Sequence, residues 1–295
     1  MKSDRWQSLA MLGLLLTLWG SVAVRAAEPL ANPFVVVTYN IRYDNPGDGE
    51  NVWTNRREAM VEYLRQSKAD FVGMQEVLPQ QRDYLAEKLT DYDWYSAGRD
   101  DGEKGEATPI FWRKDRYELQ EQGTFWLSET PATPGSKGWD AALPRVVSWV
   151  KLKDKQAGKS ILFVNTHFDH MGRKARLESA KLLVKQIGRL AGEGDASLPV
   201  VLTGDFNTTP KSEPYKVLVG GESDSAKLLD AQHISREPHT GGDSTSNGFK
   251  TIRPGAKIDH IFVRGLSVAT HAIEDPRIEE RFVSDHQPVR ATIGW

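Results

Sequence analysis

Short apolar runs alternate with amphipathic stretches along most of the chain. The apolar runs are typical of buried strands, and they cover residues 34–39, 71–75, 94–97, 109–113, 117–125, 145–152, 161–165, 200–203, 258–263 and 289–293. Helical spacing predicts one helix from Thr54 to Ser67, a second that begins at Pro79, and a third over residues 174–189. Helix–strand alternation at both ends, with strands in succession between them, predicts an α/β protein built from two packed sheets flanked by helices.

Three stretches lack this patterning and are rich in Gly, Pro, Ser, Thr and Asp. They are predicted to be long surface loops, and they cover residues 98–107, 130–143 and 220–250. Trp126 and Trp139 fall in a region predicted as loop, where a membrane or ring-stacking contact competes with simple loop packing. No repeat or linker divides residues 33–295, which we predict to be one catalytic domain.

The first residues have a different character. Lys2 and Arg5 precede the apolar residues 9–19, and small residues follow at positions 24–27. This order is typical of a secretory signal peptide, and the apolar core is shorter than the roughly 20 residues of a spanning helix. We therefore predict a signal peptide over residues 1–26 and a secreted or periplasmic mature protein. An uncleaved membrane anchor is the alternative.

Composition and charge narrow the possible chemistry. The chain has 295 residues and no Cys, which excludes disulfides, a thiolate nucleophile and Cys-ligated zinc. Loss of the signal peptide removes three basic residues and one acidic residue, so the formal net charge goes from −2 to −4. Bulk attraction to nucleic acid is therefore not supported, although a local basic groove stays possible.

Polar motifs stand where the apolar runs end, or close behind. They are Thr38-Tyr39-Asn40, Met74-Gln75-Glu76-Val77, Asn165-Thr166-His167, Gly204-Asp205-Phe206-Asn207, Ile258-Asp259-His260 and Ser284-Asp285-His286. Strand ends that meet at one sheet edge would bring these acids, amides and imidazoles into one cleft. That mixture suits a hard cation acting on phosphate, because carboxylate and amide oxygens bind the metal while imidazole and carboxylate handle protons.

Each motif also has a structural interpretation. Asn40 could cap a turn, and Glu76 could be an ordinary surface acid. In an extended stretch Asp205 and Asn207 would point to the same face, whereas Gly204 also favours an Asx turn. His167 alone would more often be structural, and its spacing to His170 is weak evidence for zinc.

The ordered set as a whole resembles the endonuclease/exonuclease/phosphatase superfamily, over about residues 33–295. The resemblance implies a four-layer α/β/β/α sandwich of two mixed sheets flanked by helices. It also implies hydrolysis of a phosphoester by a water molecule in line, with Mg²⁺ or Mn²⁺ as cofactor. The 98–102 and 165–170 stretches are most similar to secreted bacterial members near the CCR4-like branch.

Metal-binding and catalytic roles follow from the resemblance position by position. Glu76 resembles the principal metal ligand, with Asn40 beside it and Asp259 supporting the metal or the histidine network. The resemblance places His286, oriented by Asp285, and His167 at the scissile phosphate. Asp205 would align or deprotonate the attacking water. Asn207 would donate a hydrogen bond to the transition state.

Three further positions are expected to contact the substrate or its surroundings. Arg145 resembles a phosphate-binding arginine, and Glu106 occupies a position that often buttresses a histidine. Arg42 stands where abasic-site nucleases carry an acidic metal ligand, so it would repel a cation and attract a phosphate. A DNA-repair function is thereby disfavoured.

The substrate stays open among small-molecule phosphates, lipid head groups and nucleic acid. We predict a metal-dependent phosphodiesterase or phosphatase without a stable protein partner, acting as a monomer. A secreted nuclease and a catalytically inactive binding domain are the alternatives.

Overall fold

A computed structural model describes residues 29–192, 197–220 and 227–295. In these ranges two six-stranded mixed sheets pack face to face, with helices on both outer faces. This arrangement confirms the predicted α/β/β/α sandwich. The predicted signal peptide, residues 1–26, lies outside the described residues.

Each sheet combines parallel and antiparallel neighbours. The first sheet runs, in spatial order, β11 (Ser267–Ile273), β14 (Val289–Gly294), β1 (Phe34–Asn40), β2 (Phe71–Gln75), β4 (Ile110–Arg113) and β3 (Tyr92–Tyr95). The second runs β5 (Tyr117–Trp126), β6 (Val146–Asp154), β7 (Lys159–His167), β8 (Val200–Asp205), β10 (Asp259–Arg264) and β9 (Leu229–Asp230). The pairs β1–β2 and β7–β8 are parallel, and a small hairpin joins β12 (Arg277–Ile278) to β13 (Arg281–Phe282).

The helices cover the two outer faces. They are α1 (Trp53–Ser67), α2 (Pro79–Lys88), α3 (Arg173–Ala191) and α4 (Glu213–Val219), with a 3₁₀ segment at Pro46–Asn51. The short helix α5 (Ala231–Ile234) instead packs against the core between the sheets. Met60 and Leu64 of α1 pack on the first sheet, whereas Leu183 and Ile187 of α3 pack on the second. Within the described ranges, no helix is both long and apolar enough to cross a bilayer.

The central core lies between the sheets. Phe71 of β2 stacks on Phe163 of β7 with ring centroids 4.9 Å apart, and Val36, Ile161 and Val201 are also fully buried there. Burial of such side chains stabilises the fold by about 1.5–3 kcal/mol each. The central apolar runs therefore form strands that are buried on both faces, whereas the edge strands β3 and β5 are partly exposed.

Strand register places the polar motifs at one edge of the sandwich. Asn40 is paired with Gln75 across β1 and β2, and His167 is paired with Asp205 across β7 and β8. Asp259 begins the antiparallel β10 opposite that same Asp205. The motifs were far apart in sequence, but their strands end side by side.

A buried polar seam joins the two sheets directly beneath this edge. The amide nitrogen of Asn165 in β7 donates to the carbonyls of Met74 (2.7 Å) and Pro109 (2.9 Å) in the first sheet. Its amide oxygen accepts from Gln75 Nε2 (2.7 Å) and from Thr203 Oγ1 (3.0 Å). All four hydrogen-bonding positions of this fully buried amide are thus used.

Gly73 permits the close approach of the sheets at this seam. A Cβ atom at position 73 would lie 2.2 Å from Thr203 Oγ1 and 2.9 Å from the Asn165 side chain. Any larger residue would therefore push the sheets apart where the seam binds them.

Several elements differ from the sequence predictions. The first helix begins at Trp53, so Thr54 lies inside its first turn. The predicted loop over 220–250 contains β9 and α5, in addition to residues 221–226, which lie outside the described ranges. The strand β11, the helix α4 and the hairpin of β12 and β13 were not predicted, because short or half-exposed elements carry little periodicity.

Trp126 does not lie in a loop. It ends β5, is 5% exposed, and its indole nitrogen donates to the carbonyl of Arg99 (2.7 Å). Trp126 is therefore packed inside the protein as part of a strand, and it cannot serve as a membrane or stacking contact.

The seam predicts a large stability effect for Asn165→Leu. The substitution keeps the volume but leaves the buried partners at Met74, Pro109, Gln75 and Thr203 with one fewer hydrogen bond each, at about 1–3 kcal/mol for each group left unsatisfied. We expect the free energy of unfolding, measured in urea, to fall by at least about 3 kcal/mol. Asn55→Leu, at an exposed helical amide, is the control. A loss below about 1 kcal/mol for Asn165→Leu would contradict the seam's role.

Candidate active site

The strand ends open into a cavity of about 720 Å³ at the edge of the sandwich. Most of the predicted site residues line it: Arg42, Glu76, Glu106, Arg145, His167, Asp205, Asn207, Asp285 and His286. Asn40 and Asp259 lie beneath these side chains, where both are fully buried. The predicted convergence of distant motifs is therefore present in the structure.

Asn40 joins two of the carboxylates. Its amide nitrogen donates to Glu76 Oε1 and to Asp205 Oδ2, both at 3.0 Å. Its amide oxygen accepts from the backbone N–H of Arg42 (3.0 Å). Asn40 thus holds Glu76 and Asp205 close together, and its role as a metal ligand stays a prediction.

Three site residues have left-handed backbone conformations, which are uncommon outside glycine. The φ angles are 58° for Arg42, 62° for Glu76 and 47° for Asn207. Gln75 already points into the seam, so regular alternation would turn Glu76 to the opposite face of the sheet. The left-handed turn redirects Glu76 to the cavity instead. Such backbone strain is typical of functional sites.

Asp205 and Asn207 form an Asx turn, and the alternative extended stretch is wrong. The backbone N–H of Asn207 donates to Asp205 Oδ1 (2.9 Å). The amide nitrogen of Asn207 donates to the carbonyl of Phe168 (3.0 Å) and lies 3.1 Å from His167 Nε2. Because an amide nitrogen only donates, His167 accepts at Nε2. Both amide hydrogens of Asn207 are then in use, so its role as a donor to a transition state stays a prediction.

His286 is held by Asp259, and the predicted orientation by its neighbour Asp285 is wrong. His286 Nδ1 lies 2.8 Å from Asp259 Oδ2, and its Nε2 faces Asp205 Oδ2 at 3.8 Å. Asp285, which lies in a bend, instead faces Arg42 at 3.9 Å. Of the two functions expected for Asp259, the structure shows the contact with the histidine.

The two histidines have opposite electrostatic environments. Burial, followed by the charge of Arg145, lowers the pKa of His167 well below its usual value. Burial also opposes protonation of His286, but the charge and hydrogen bond of Asp259 hold the pKa of His286 well above its usual range. At neutral pH the cavity therefore contains one neutral imidazole and one imidazolium.

Asp205 lies between these two rings. His167 Nε2 is 3.4 Å from Asp205 Oδ2, the same oxygen that faces His286. Burial, and next the charge of Asp259, raises the pKa of Asp205 to about 7. A carboxylate with this pKa can take up a proton near neutral pH, which suits a general base.

Arg42 is fixed by two parallel hydrogen bonds to Asp48. Nε and Nη2 of Arg42 each lie 2.9 Å from a different oxygen of that carboxylate. The backbone carbonyl of Arg42 accepts from Arg56 Nη2 (2.7 Å) and from Gln81 Nε2 (3.0 Å). Arg56 is itself fully buried, so it is a structural clamp for the 41–43 turn and no part of a basic surface run.

The two remaining predicted positions make different contacts from those expected. Glu106 pairs with Arg99 (2.7 Å), so the predicted contact with a histidine is wrong. Arg145 is 5% exposed and approaches Asp169 (3.5 Å) and His170 Nδ1 (3.0 Å). Both residues line the cavity, and their substrate contacts stay a prediction.

The sequence pattern does not single out four lining residues: Tyr43, Arg99, Ser246 and Arg253. Arg99 comes from the 98–107 stretch, which was predicted as a surface loop, whereas Arg253 lies just beyond the predicted loop over 220–250. A long Gly-rich loop is often functional, but its composition does not indicate which side chain faces the site.

The described residues fit a hard divalent cation. Asp205, Asp259 and His286 offer ligand atoms that all lie within 4.8 Å of one another. Asp259 Oδ1 is buried without a hydrogen-bond partner in the described part of the chain, and a buried carboxylate oxygen with no partner is costly unless a cation binds it. Asp259 would hold such an ion through this oxygen, with Glu76 nearby on the other side of the Asn40 amide, and Asp205 stays available for the attacking water.

Solved structures similar to this chain share its whole fold. The endonuclease/exonuclease/phosphatase from Bacteroides vulgatus is 40% identical, with a TM-score of 0.83 over 89% of this chain and 99% of that one. The mannosyl-6-phosphatase Bt3783 of Bacteroides thetaiotaomicron is 35% identical, with a TM-score of 0.80 over 89% of this chain and 100% of that one.

Sequence relatives confirm the CCR4-like resemblance. The CCR4-Not complex 3'-5'-exoribonuclease subunit Ccr4 of Mycosarcoma maydis is 22% identical over 76% of this chain. The chain spans only 40% to 49% of the length of the curated relatives Ccr4 and carbon catabolite repressor protein 4 homolog 3 of Arabidopsis thaliana. The sequence model of the Endonuclease/Exonuclease/phosphatase family matches residues 37–286, and the chain therefore belongs to that family.

Proposed function

We propose that this protein is a secreted or periplasmic phosphoesterase that uses Mg²⁺ or Mn²⁺ to hydrolyse phosphate monoesters of small, sugar-like molecules. The observation that carries the proposal is the surroundings of one carboxylate oxygen. Asp205 Oδ2 meets Asn40, His167 and His286 at 3.0, 3.4 and 3.8 Å, in a cavity that is also lined by arginines.

Family membership supports the general chemistry. Enzymes of this family hydrolyse phosphoester bonds and typically depend on a divalent metal. When bound, such an ion neutralises charge on a phosphate or leaving-group oxygen. Magnesium and manganese suit the carboxylate-rich donor set of this cavity better than softer metals do.

The chain's own residues divide the proton handling. Asp205, with its pKa near 7, positions the attacking water and accepts its proton. His286 is kept protonated by Asp259 and stabilises the negative charge that develops on a phosphate oxygen. His167 stays neutral and accepts from the amide of Asn207 at its Nε2, which keeps Asn207 in place.

Two observations favour a small substrate. The Bacteroides thetaiotaomicron relative is a mannosyl-6-phosphatase, and the match covers the entire length of that relative. The cavity has a volume of about 720 Å³, within the range usual for small-molecule sites.

A nuclease is the second candidate, and a different cavity favours it. A cleft of about 680 Å³ shares Asn207 with the site and is lined by Arg173, Lys174, Arg176 and Lys211. Four basic side chains beside a phosphoesterase site could follow a polyanionic backbone. The exoribonuclease title of the Mycosarcoma maydis relative agrees with this candidate.

A substrate panel tests the proposal. We expect mannose 6-phosphate and p-nitrophenyl phosphate to be hydrolysed with a kcat/KM at least about tenfold above that for bis-p-nitrophenyl phosphate, RNA, single-stranded DNA or sphingomyelin. EDTA should abolish turnover, and Mg²⁺ or Mn²⁺ should restore it. Faster cleavage of RNA or DNA would favour the nuclease, and turnover that survives EDTA would refute the metal-dependent function.

The contact between Asp259 and His286 predicts unequal effects for two acids. Asp259→Asn removes the charge that keeps His286 protonated, so the imidazolium is lost at lower pH. We expect kcat to fall by about 10²–10⁴-fold at neutral pH and the alkaline limb of the kcat profile to move to lower pH.

Asp285→Asn is the matched control for that experiment. Asp285 also raises the pKa of His286, but less than Asp259 and without a hydrogen bond. The alkaline limb should therefore move less in Asp285→Asn than in Asp259→Asn. Mn²⁺ affinity, measured by calorimetry on both variants, separates a metal-binding defect from a histidine defect. An equal or larger shift in Asp285→Asn would overturn the assignment.

A further inference from the structure

Beside the Asp205–Asp259–His286 cluster, the cavity contains a second acidic position. Glu76 and Asp285 both line the cavity, and Arg42 Nη1 lies 3.9 Å from Glu76 Oε2 and 3.9 Å from Asp285 Oδ2. Glu76 belongs to both positions, because its other oxygen, Oε1, accepts from the amide that also holds Asp205.

This layout is the one that a pair of metal ions would need. Two-metal phosphoesterase sites place their ions about 3.5–4 Å apart, with acids around both. Glu76 would be the shared acid and Asp285 the outer one. In this chain, however, the guanidinium of Arg42 already supplies the positive charge to the outer position.

Arg42 is held there rigidly. Asp48 binds its Nε and Nη2 at 2.9 Å each, and Asn45 Nδ2 donates to Asp48 Oδ1 (2.8 Å). The left-handed backbone of Arg42 and the hydrogen bond from its N–H to Asn40 Oδ1 fix the start of the side chain. The guanidinium can therefore leave the outer position only by breaking its two hydrogen bonds to Asp48.

The hydrogen-bonding capacity of Arg42 is also not exhausted. Nε and Nη2 are used by Asp48, whereas Nη1 makes no hydrogen bond within the described ranges. An arginine is charged at every physiological pH. Nη1 is thus a permanently charged donor that lies between two carboxylates at the cavity wall and can still donate a hydrogen bond to a phosphate oxygen.

We propose that Arg42 is a built-in second cation of this active site, which fills the outer position between Glu76 and Asp285, so that the enzyme binds a single divalent metal. The inference rests on the proposed metal-dependent function and adds the number of metal ions bound per chain. Arg42 then determines the number of metal ions that the site binds, and it also contributes to binding of the substrate phosphate.

Calorimetric titration of the metal-free full chain with Mn²⁺ tests the proposal. We expect the wild type to bind one Mn²⁺ per chain. Arg42→Met removes the charge while keeping an unbranched side chain, and it should create a second Mn²⁺ site that binds at least about tenfold more tightly than any second site in the wild type. Arg42→Lys keeps the charge and should retain one site.

Further variants control for folding and for the acids involved. Arg113→Met removes a surface arginine that pairs with Asp115 in the same two-bond manner, and it should leave the stoichiometry unchanged. Arg42→Met combined with Asp285→Asn should lose the second site again. Should Arg42→Met fail to fold, Asp48→Asn releases the guanidinium and should also admit a second ion.

Electron paramagnetic resonance gives a readout that is independent of turnover. Two Mn²⁺ ions that share Glu76 would produce a spin-coupled spectrum in Arg42→Met, whereas the wild type should show an isolated ion. Two coupled ions in the wild type, or one site persisting in Arg42→Met, would overturn the inference.

The two proposals can fail separately. Phosphatase activity together with two wild-type sites would reject only the role of Arg42. One Mn²⁺ site together with no turnover on any phosphoester would reject only the proposed function.

Discussion

The amide of Asn165 is the constraint on which the site depends. It makes three hydrogen bonds to the other sheet and a fourth to Thr203 in its own sheet, and it lies two residues before His167 in the same strand. Because side chains two apart in a strand share a face, the seam residue Asn165 and the site residue His167 point the same way. Thr203 and Asp205 are related in the same manner. The seam thus sets the sheet spacing, and the sheet spacing sets the distances in the cavity.

Above the seam, electrostatics turn this geometry into chemistry. Carboxylates surround the cavity floor, and burial raises the pKa of two of them, Asp205 and Asp285. Asp259 holds a proton on His286, while Asp48 holds the Arg42 guanidinium in place. Positive charge is thereby fixed on both sides of Asp205 and Glu76, where a phosphate would bind. The left-handed residues at the strand ends add rigidity, since their strain is maintained only by the surrounding contacts.

The sequence predicted the fold and the membership of the site well, because both depend on apolar runs and on the polar residues that follow them. It did not predict which side chains of the site contact each other. Asp285 is adjacent to His286 in the chain, yet Asp259 makes the hydrogen bond from another strand. Likewise, the left-handed turns of Glu76 and Asn207 leave no periodic signal. Arg99 and Arg253 were missed because loop composition does not determine side-chain direction.

The division between seam and loops has an evolutionary consequence. Strand ends contribute Asp205, His167 and Asp259, whereas Arg99 and Arg253 come from loops on the rim. The loops on the rim can therefore change in sequence and length, by insertion or by exchange of whole segments, without altering the spacing between the sheets. Relatives that cleave different substrates are expected to differ mainly in these loops and to retain the buried seam between the sheets.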